Sequence, residues 1–145
     1  MSDYPPLSTR VTGEAESALG ALLTPVLAEA GLTFPQWLVL VIATAKGADG
    51  AANRVDLVAT IADARKIDPA EVEAAIETLE ATAALEIDNG QLKLTDSGRA
   101  VHRRVRTRLD EITARIFDFP AEDLATAGRI LGIVTERANA VLATF

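Results

Sequence analysis

The sequence has no cysteine and a single histidine among its 145 residues. The first absence excludes disulfides, thiolate metal sites and thiol redox switching. The second excludes a histidine metal cluster or relay, leaving His102 as a structural or solvent-facing side chain. With only one Trp, one Tyr and four Phe, the core has to be built from Ala, Leu, Val and Ile, which favours packed helices. No apolar run, residues 37–43 included, approaches the roughly 20 residues that cross a bilayer. No signal pattern opens the chain either, so a cytoplasmic protein without membrane attachment is expected. Nucleophile–base pairs and Gly-rich phosphate loops are missing too, so no enzyme and no cofactor are expected. Cations are missing from one stretch in particular. Residues 67–92 hold Glu71, Glu73, Glu77, Glu80, Glu86 and Asp88, with neither Lys nor Arg.

What is present fits one domain over residues 1–145, long enough to bury roughly 70% of its unfolded surface. Fourteen Lys and Arg against 21 Asp and Glu leave a formal charge of −7, which favours solubility and opposes non-specific attraction to nucleic acid or anionic lipid. A locally basic face remains compatible with that total.

Residues 2–12, with Pro5 and Pro6, read as an extended arm. A helix with Leu19, Leu22, Leu23, Val26 and Leu27 near one side follows from about residue 13 and ends at Gly31. Thr33, Phe34 and Pro35 cap and open a second helix over residues 36–45, and the Gly- and Ala-rich residues 47–53 read as a loop. A short third helix, residues 56–64, turns Leu57 and Ile61 inward, with Arg65 and Lys66 in the turn after it. Asp68, Pro69 and Glu71 mark a capped fourth helix whose buried face is Val72, Ala75, Ile76, Leu79 and Ala83. Residues 85–87 and 91–94 alternate apolar and polar around Asp88-Asn89-Gly90, the pattern of a two-stranded hairpin with a tight turn. Thr95 or Asp96 then caps a long helix with the stripe Val101, Val105, Leu109, Ile112 and Ile116. After a break at Phe119-Pro120 a last helix carries Leu124, Leu131, Val134, Ala138 and Val141.

The segment Leu94-Thr95-x-x-Gly98-Arg99, together with Leu32-Thr33-x-x-Gln36-Trp37 and Thr78-Leu79-Glu80, occurs within this order of elements. In that order the chain resembles the MarR family of winged helix-turn-helix transcription regulators from about residue 13 to residue 145. The resemblance implies a mainly helical fold with a small two-stranded β-wing. It implies a winged module over about residues 34–99, and dimerisation helices over about residues 13–31 and 99–145. It also implies a homodimer, double-stranded DNA as partner, the helix at residues 68–83 in the major groove, and a small aromatic or anionic effector between module and dimer helices. The sequence departs from the family at the wing tip, which lacks the usual arginine, and at Ala83-Ala84, where a glycine is common.

Turning about 100° per residue from Val72 puts Ala70, Ala74, Glu77, Thr78 and Ala81 on the outward face of the fourth helix, flanked by Glu73 and Glu80. Alanine can touch a thymine methyl and glutamate can accept from cytosine N4. A solvated acidic helix kept for packing is the other reading. Glu73, Glu77 and Glu80 are spaced like a metal ledge, but without histidines or a second acidic helix no metal site is expected. Phosphate contacts would fall to Arg54, Arg65, Lys66 and Lys93. The run from His102 to Arg108 splits by helical geometry, Arg99, Arg103 and Arg106 lying on one side and Arg104, Arg108 and Arg115 on another. Asp110 and Glu111 are placed to pair with part of it. The alternative reading of the run is an anion-binding surface, either for a carboxylate effector near the dimer joint or for the DNA backbone. Where the resemblance places an effector site, between module and dimer helices, Trp37, His102, Arg103 and Arg106 are the candidates, with Trp37 and Phe34 as plain packing residues the alternative. Two functions stand: a DNA-binding regulator, or a degenerate winged-helix dimer that has lost DNA binding and acts as a ligand-binding or protein-interaction module.

Overall fold

The computed structural model of the chain describes residues 3–46 and 51–145. Among these residues are six helices and three strands: α1 (Thr9–Glu29), α2 (Phe34–Lys46), β1 (Ala51–Asn53), α3 (Arg54–Arg65), α4 (Pro69–Ala81), β2 (Leu85–Asp88), β3 (Gln91–Leu94), α5 (Asp96–Ile116) and α6 (Ala121–Leu142). The chain divides into two compact units, Met1–Leu109 and Asp110–Phe145.

Capping side chains explain the helix starts in the first unit. Ser8 Oγ accepts from the Val11 N–H at 3.3 Å, so α1 begins at Thr9 and the expected arm through residue 12 is shorter than the sequence suggested; Ser2 lies outside the described residues. Thr33 and Gln36 form a reciprocal capping box at the start of α2, each side chain accepting from the other's backbone N–H, at 3.4 and 3.1 Å. Asn53 Oδ1 accepts from the Asp56 N–H at 3.1 Å and starts α3 two positions early, at Arg54. Asp68 Oδ1 takes the Ala70 N–H at 2.9 Å, and Pro69 fills the first position of α4.

The loop expected over residues 47–53 is corrected at its end, since Ala51–Asn53 is a strand; residues 47–50 lie outside the described residues. β1 pairs antiparallel with β3, Ala52 opposite Leu92 and Asn53 opposite Gln91, so the hairpin gains a third strand in the order β1-β3-β2. Alanine has little strand preference of its own, and pairing to the open edge of β3 overrides it. At the tip, Asn89 (φ 52°) and Gly90 (φ 76°) join β2 to β3 through a two-residue turn with both central residues left-handed, as a type I′ hairpin requires.

The core of this unit is aliphatic. Leu27, Leu40, Leu57, Ile61, Val72, Ile76, Leu85 and Leu92 are all at most 2% exposed. Ala83, expected on the buried face of the fourth helix, is instead exposed beyond its end with φ 63°. The helix stops at Ala81, and the chain needs a left-handed residue to turn into β2.

Residues 94–99 lock the wing to α5. Thr95 Oγ1 donates to the Ala83 carbonyl at 2.6 Å and accepts from the Gly98 N–H at 3.0 Å, so Thr95 is the cap, while its own N–H donates to the Ala84 carbonyl at 3.1 Å. Arg99 Nη1 donates to the Leu94 carbonyl at 2.8 Å, and its Nη2 pairs with Asp96. Gly98 is buried so closely against the chain that a Cβ there would lie 2.1 Å from the Ala84 carbonyl oxygen. In the second unit, the end of α5 is followed by α6, which opens at Pro120 without a side-chain cap and buries none of its residues.

Gly98→Ala is expected to lower stability by about 2–3 kcal/mol, because backbone must move to admit the methyl group. Ala83→Gly is expected to raise it by roughly 0.5–1 kcal/mol, the relief of a left-handed alanine partly offset by glycine's chain entropy. Urea unfolding followed by circular dichroism measures both.

Candidate nucleic-acid interface and ligand cavity

α3 and α4 are joined by Lys66, whose left-handed backbone (φ 54°) makes the sharp turn of a helix-turn-helix. Its Nζ donates to the Asp63 carbonyl at 2.8 Å and stands 3.8 Å from the Asp63 carboxylate. With Val72, Ala75, Ile76 and Leu79 inward, Ala70, Ala74, Glu77, Thr78 and Ala81 are exposed on the opposite face of α4. Thr78 Oγ1 donates to the Ala74 carbonyl at 3.1 Å, so its hydroxyl proton is already used within the helix. Lys93 is exposed on β3, directly opposite Glu86 of β2.

Arg54 is half-buried and committed elsewhere in the fold. Its Nε and Nη2 both donate to Glu73 Oε2, at 2.9 and 2.5 Å, and its backbone N–H donates to the Gly90 carbonyl in the wing turn at 2.8 Å. Nothing in the sequence signals this pair, whose members are 19 residues apart.

Arg65, the last residue of α3, lays its guanidinium over the Phe34 ring, with Cζ 4.9 Å from the centroid. Both side chains line a cavity of about 860 Å³ that also includes Trp37, Leu23, Leu27, Leu109 and, from α1, Glu16. Of the four residues expected at an effector site, Trp37 lines this cavity. His102 meets it through Trp37, their rings stacked with centroids 5.2 Å apart and planes 20° apart. Arg103 and Arg106 are exposed on α5. The cation on the cavity wall is Arg65, a residue that the sequence placed with the phosphate contacts. Burial holds the His102 imidazole below its ordinary pKa of 6.5, and the neighbouring Arg106 charge adds to the effect.

No protein-family model matches the chain, and no curated protein sequence does either. Solved structures match over most of its length. Ligand-free NadR superimposes with a TM-score of 0.73 at 21% identity, covering 92% of this chain and 99% of that one. The fold is the MarR-type winged helix. A MarR-family protein of Mycobacterium tuberculosis in complex with DNA matches with a TM-score of 0.62 at 22% identity, over 90% of this chain and 98% of its own. BpsR of Bordetella bronchiseptica, whose DNA binding is regulated by 6-hydroxynicotinic acid, matches with a TM-score of 0.66 at 24% identity, over 90% and 99%. In the MarR-type fold, α3 and α4 are the helix-turn-helix pair and the β2–β3 hairpin is the wing.

Because the folded protein disfavours the His102 imidazolium, the unfolded chain binds the extra proton first as pH falls. Stability should therefore decline as pH drops through 6.5 and level off below the lowered folded value. His102→Gln should remove that component, and thermal melts of the two proteins from pH 7.5 to about 5 read the difference.

Proposed function

We propose that the chain is a transcription regulator that binds double-stranded DNA as a homodimer and responds to an apolar anion held in the α1–α2 cavity. In this reading residues 34–99 are the winged module, and residues 13–31 and 99–145 serve dimerisation. The observation that carries it is the exposed face of α4, which no other element covers among the described residues and which a helix-turn-helix presents to the major groove. Ala70, Ala74 and the Thr78 methyl offer contacts to thymine methyls, and Glu77 can accept from a cytosine amino group. Lys66 and Lys93 supply phosphate contacts.

The homodimer rests on exposed apolar side chains. Leu19 and Leu22 of α1 are 40% and 44% exposed. Along α6, Leu124, Ala127, Leu131, Val134, Ala138 and Val141 recur at alternating spacings of three and four, the seam of a helix that packs against another helix. All six are exposed in the single chain, and a second copy covers them at little cost. Sedimentation equilibrium should give twice the chain mass at micromolar concentration; a stable monomer overturns the dimer.

The effector reading rests on the cavity's chemistry, mainly aliphatic and aromatic walls with Arg65 as the cation and Glu16 of α1 as the carboxylate. 2-Naphthoate should quench or shift Trp37 fluorescence with at least tenfold greater affinity than the neutral 2-naphthamide, and Arg65→Gln should abolish that preference. For DNA, an acidic α4 predicts weak but real binding. A carboxylate about 8 Å from a phosphate at an effective dielectric near 40 costs roughly 1 kcal/mol before screening. Fluorescence anisotropy of the protein with duplexes from its own upstream region at low salt tests the reading. Saturable binding weakened by Lys66→Ala supports it, and no binding leaves the chain a ligand-binding dimer without DNA.

A further inference from the structure

Arg54 stands where three elements that a duplex would meet converge. It is the first residue of α3, its N–H is tied to Gly90 in the wing turn, and its guanidinium crosses to Glu73 in α4. Glu73 lies one helical turn before Glu77, which is on the exposed face. The wing tip reads Asp88-Asn89-Gly90-Gln91 and carries no cation, so Arg54 is the cation tied directly to the wing turn. It is not available as it stands, because both donors of one guanidinium edge converge on a single carboxylate oxygen at 2.9 and 2.5 Å. That edge is the one a phosphate would take in a two-bond contact.

We infer that Glu73 holds Arg54 off the DNA backbone: its carboxylate occupies the guanidinium edge that a phosphate would otherwise bind, so Glu73 acts as an intramolecular phosphate mimic that sets the strength and salt dependence of DNA binding. The inference rests on the DNA-binding reading above. The Arg54 and Glu73 side chains are 26% and 41% exposed, so water and counterions reach both groups. Neither group is deeply buried, so a phosphate can reach the guanidinium once the Glu73 charge is removed. Glu73 differs in this from Glu77, which acts on a duplex only through its own charge. Removing the Glu77 charge relieves repulsion, whereas removing the Glu73 charge also releases a cation.

Those two effects separate in the salt dependence. Each additional phosphate neutralised steepens the plot of log K against log salt by about 0.9. Duplex affinity is measured by anisotropy between 25 and 200 mM salt for the full-length wild type, E73Q, E77Q, R54Q and R54Q/E73Q. E77Q should tighten binding up to about fivefold with an unchanged slope, as loss of one repulsion of roughly 1 kcal/mol allows. E73Q should tighten it tenfold or more and steepen the slope by nearly one. R54Q should leave the wild-type slope unchanged, while in the E73Q background it should reverse the steepening. A reading on the intact wild type guards against loss of stability in the variants. The Arg54 Nε–H resonance should keep its free-protein position when duplex is added, and should move on duplex addition in E73Q. Wild-type binding with E73Q no different from E77Q, or a shallower slope for R54Q alone, overturns the inference and leaves the DNA-binding reading standing. Failure of all five proteins to bind overturns both.

Discussion

The close approach of Gly98 to the Ala84 carbonyl is the constraint on which the winged module depends. α5 can begin where it does only because position 98 has no side chain, and the Thr95 hydroxyl uses that proximity to join two chain segments, donating to Ala83 and accepting from Gly98. β2 leaves α4 on one side of this joint, and β3 enters α5 on the other. The wing is thereby held at a set angle to α4, the geometry a duplex would have to match. Leu94-Thr95-x-x-Gly98-Arg99 is thus a structural signature, and each of its polar members is accounted for by a bond within the chain.

The same economy governs the cations. A winged module on an acidic chain has few positive side chains near the exposed face of its second helix-turn-helix helix, and the fold has already engaged two of them. Arg54 is held by Glu73, and Arg65 is stacked on Phe34 at the wall of a mostly apolar cavity. A guanidinium suits both tasks because it is planar, always charged and weakly hydrated, so it can lie on a ring or grip a carboxylate at modest desolvation cost. Lys93 is exposed on β3, and Lys66, exposed as well, is bonded only to its near neighbour Asp63. Phosphate contact of that kind positions a protein on DNA without specifying sequence, so discrimination would fall to the small outward side chains of α4.

Much of the architecture was legible from the residues. Helix starts at Thr33 and Asp68, the inward face Val72, Ala75, Ile76 and Leu79, and the Asn89-Gly90 turn all follow from local chemistry, since caps, left-handed turns and helical periodicity act over a few residues. Where the local signal was weak the reading slipped. Ser8 and Asn53 are capping residues with no distinctive partner three positions on, and Ala51–Asn53 is a strand only because β3 offers an edge.

By itself the sequence determined the order of the six helices and the hairpin, the aliphatic core, the outward face of α4 and the lack of cysteine chemistry or a histidine cluster, because each follows from composition or from local spacing. Only the tertiary structure decided what the cations do. Arg54 meets Glu73 across 19 residues, Arg65 turns to Phe34 on another helix, and Trp37 finds His102 on a third. A charged side chain takes its role from whatever the fold brings within about 4 Å, through interactions that strengthen as water is excluded. Nothing in the linear order of residues encodes that distance.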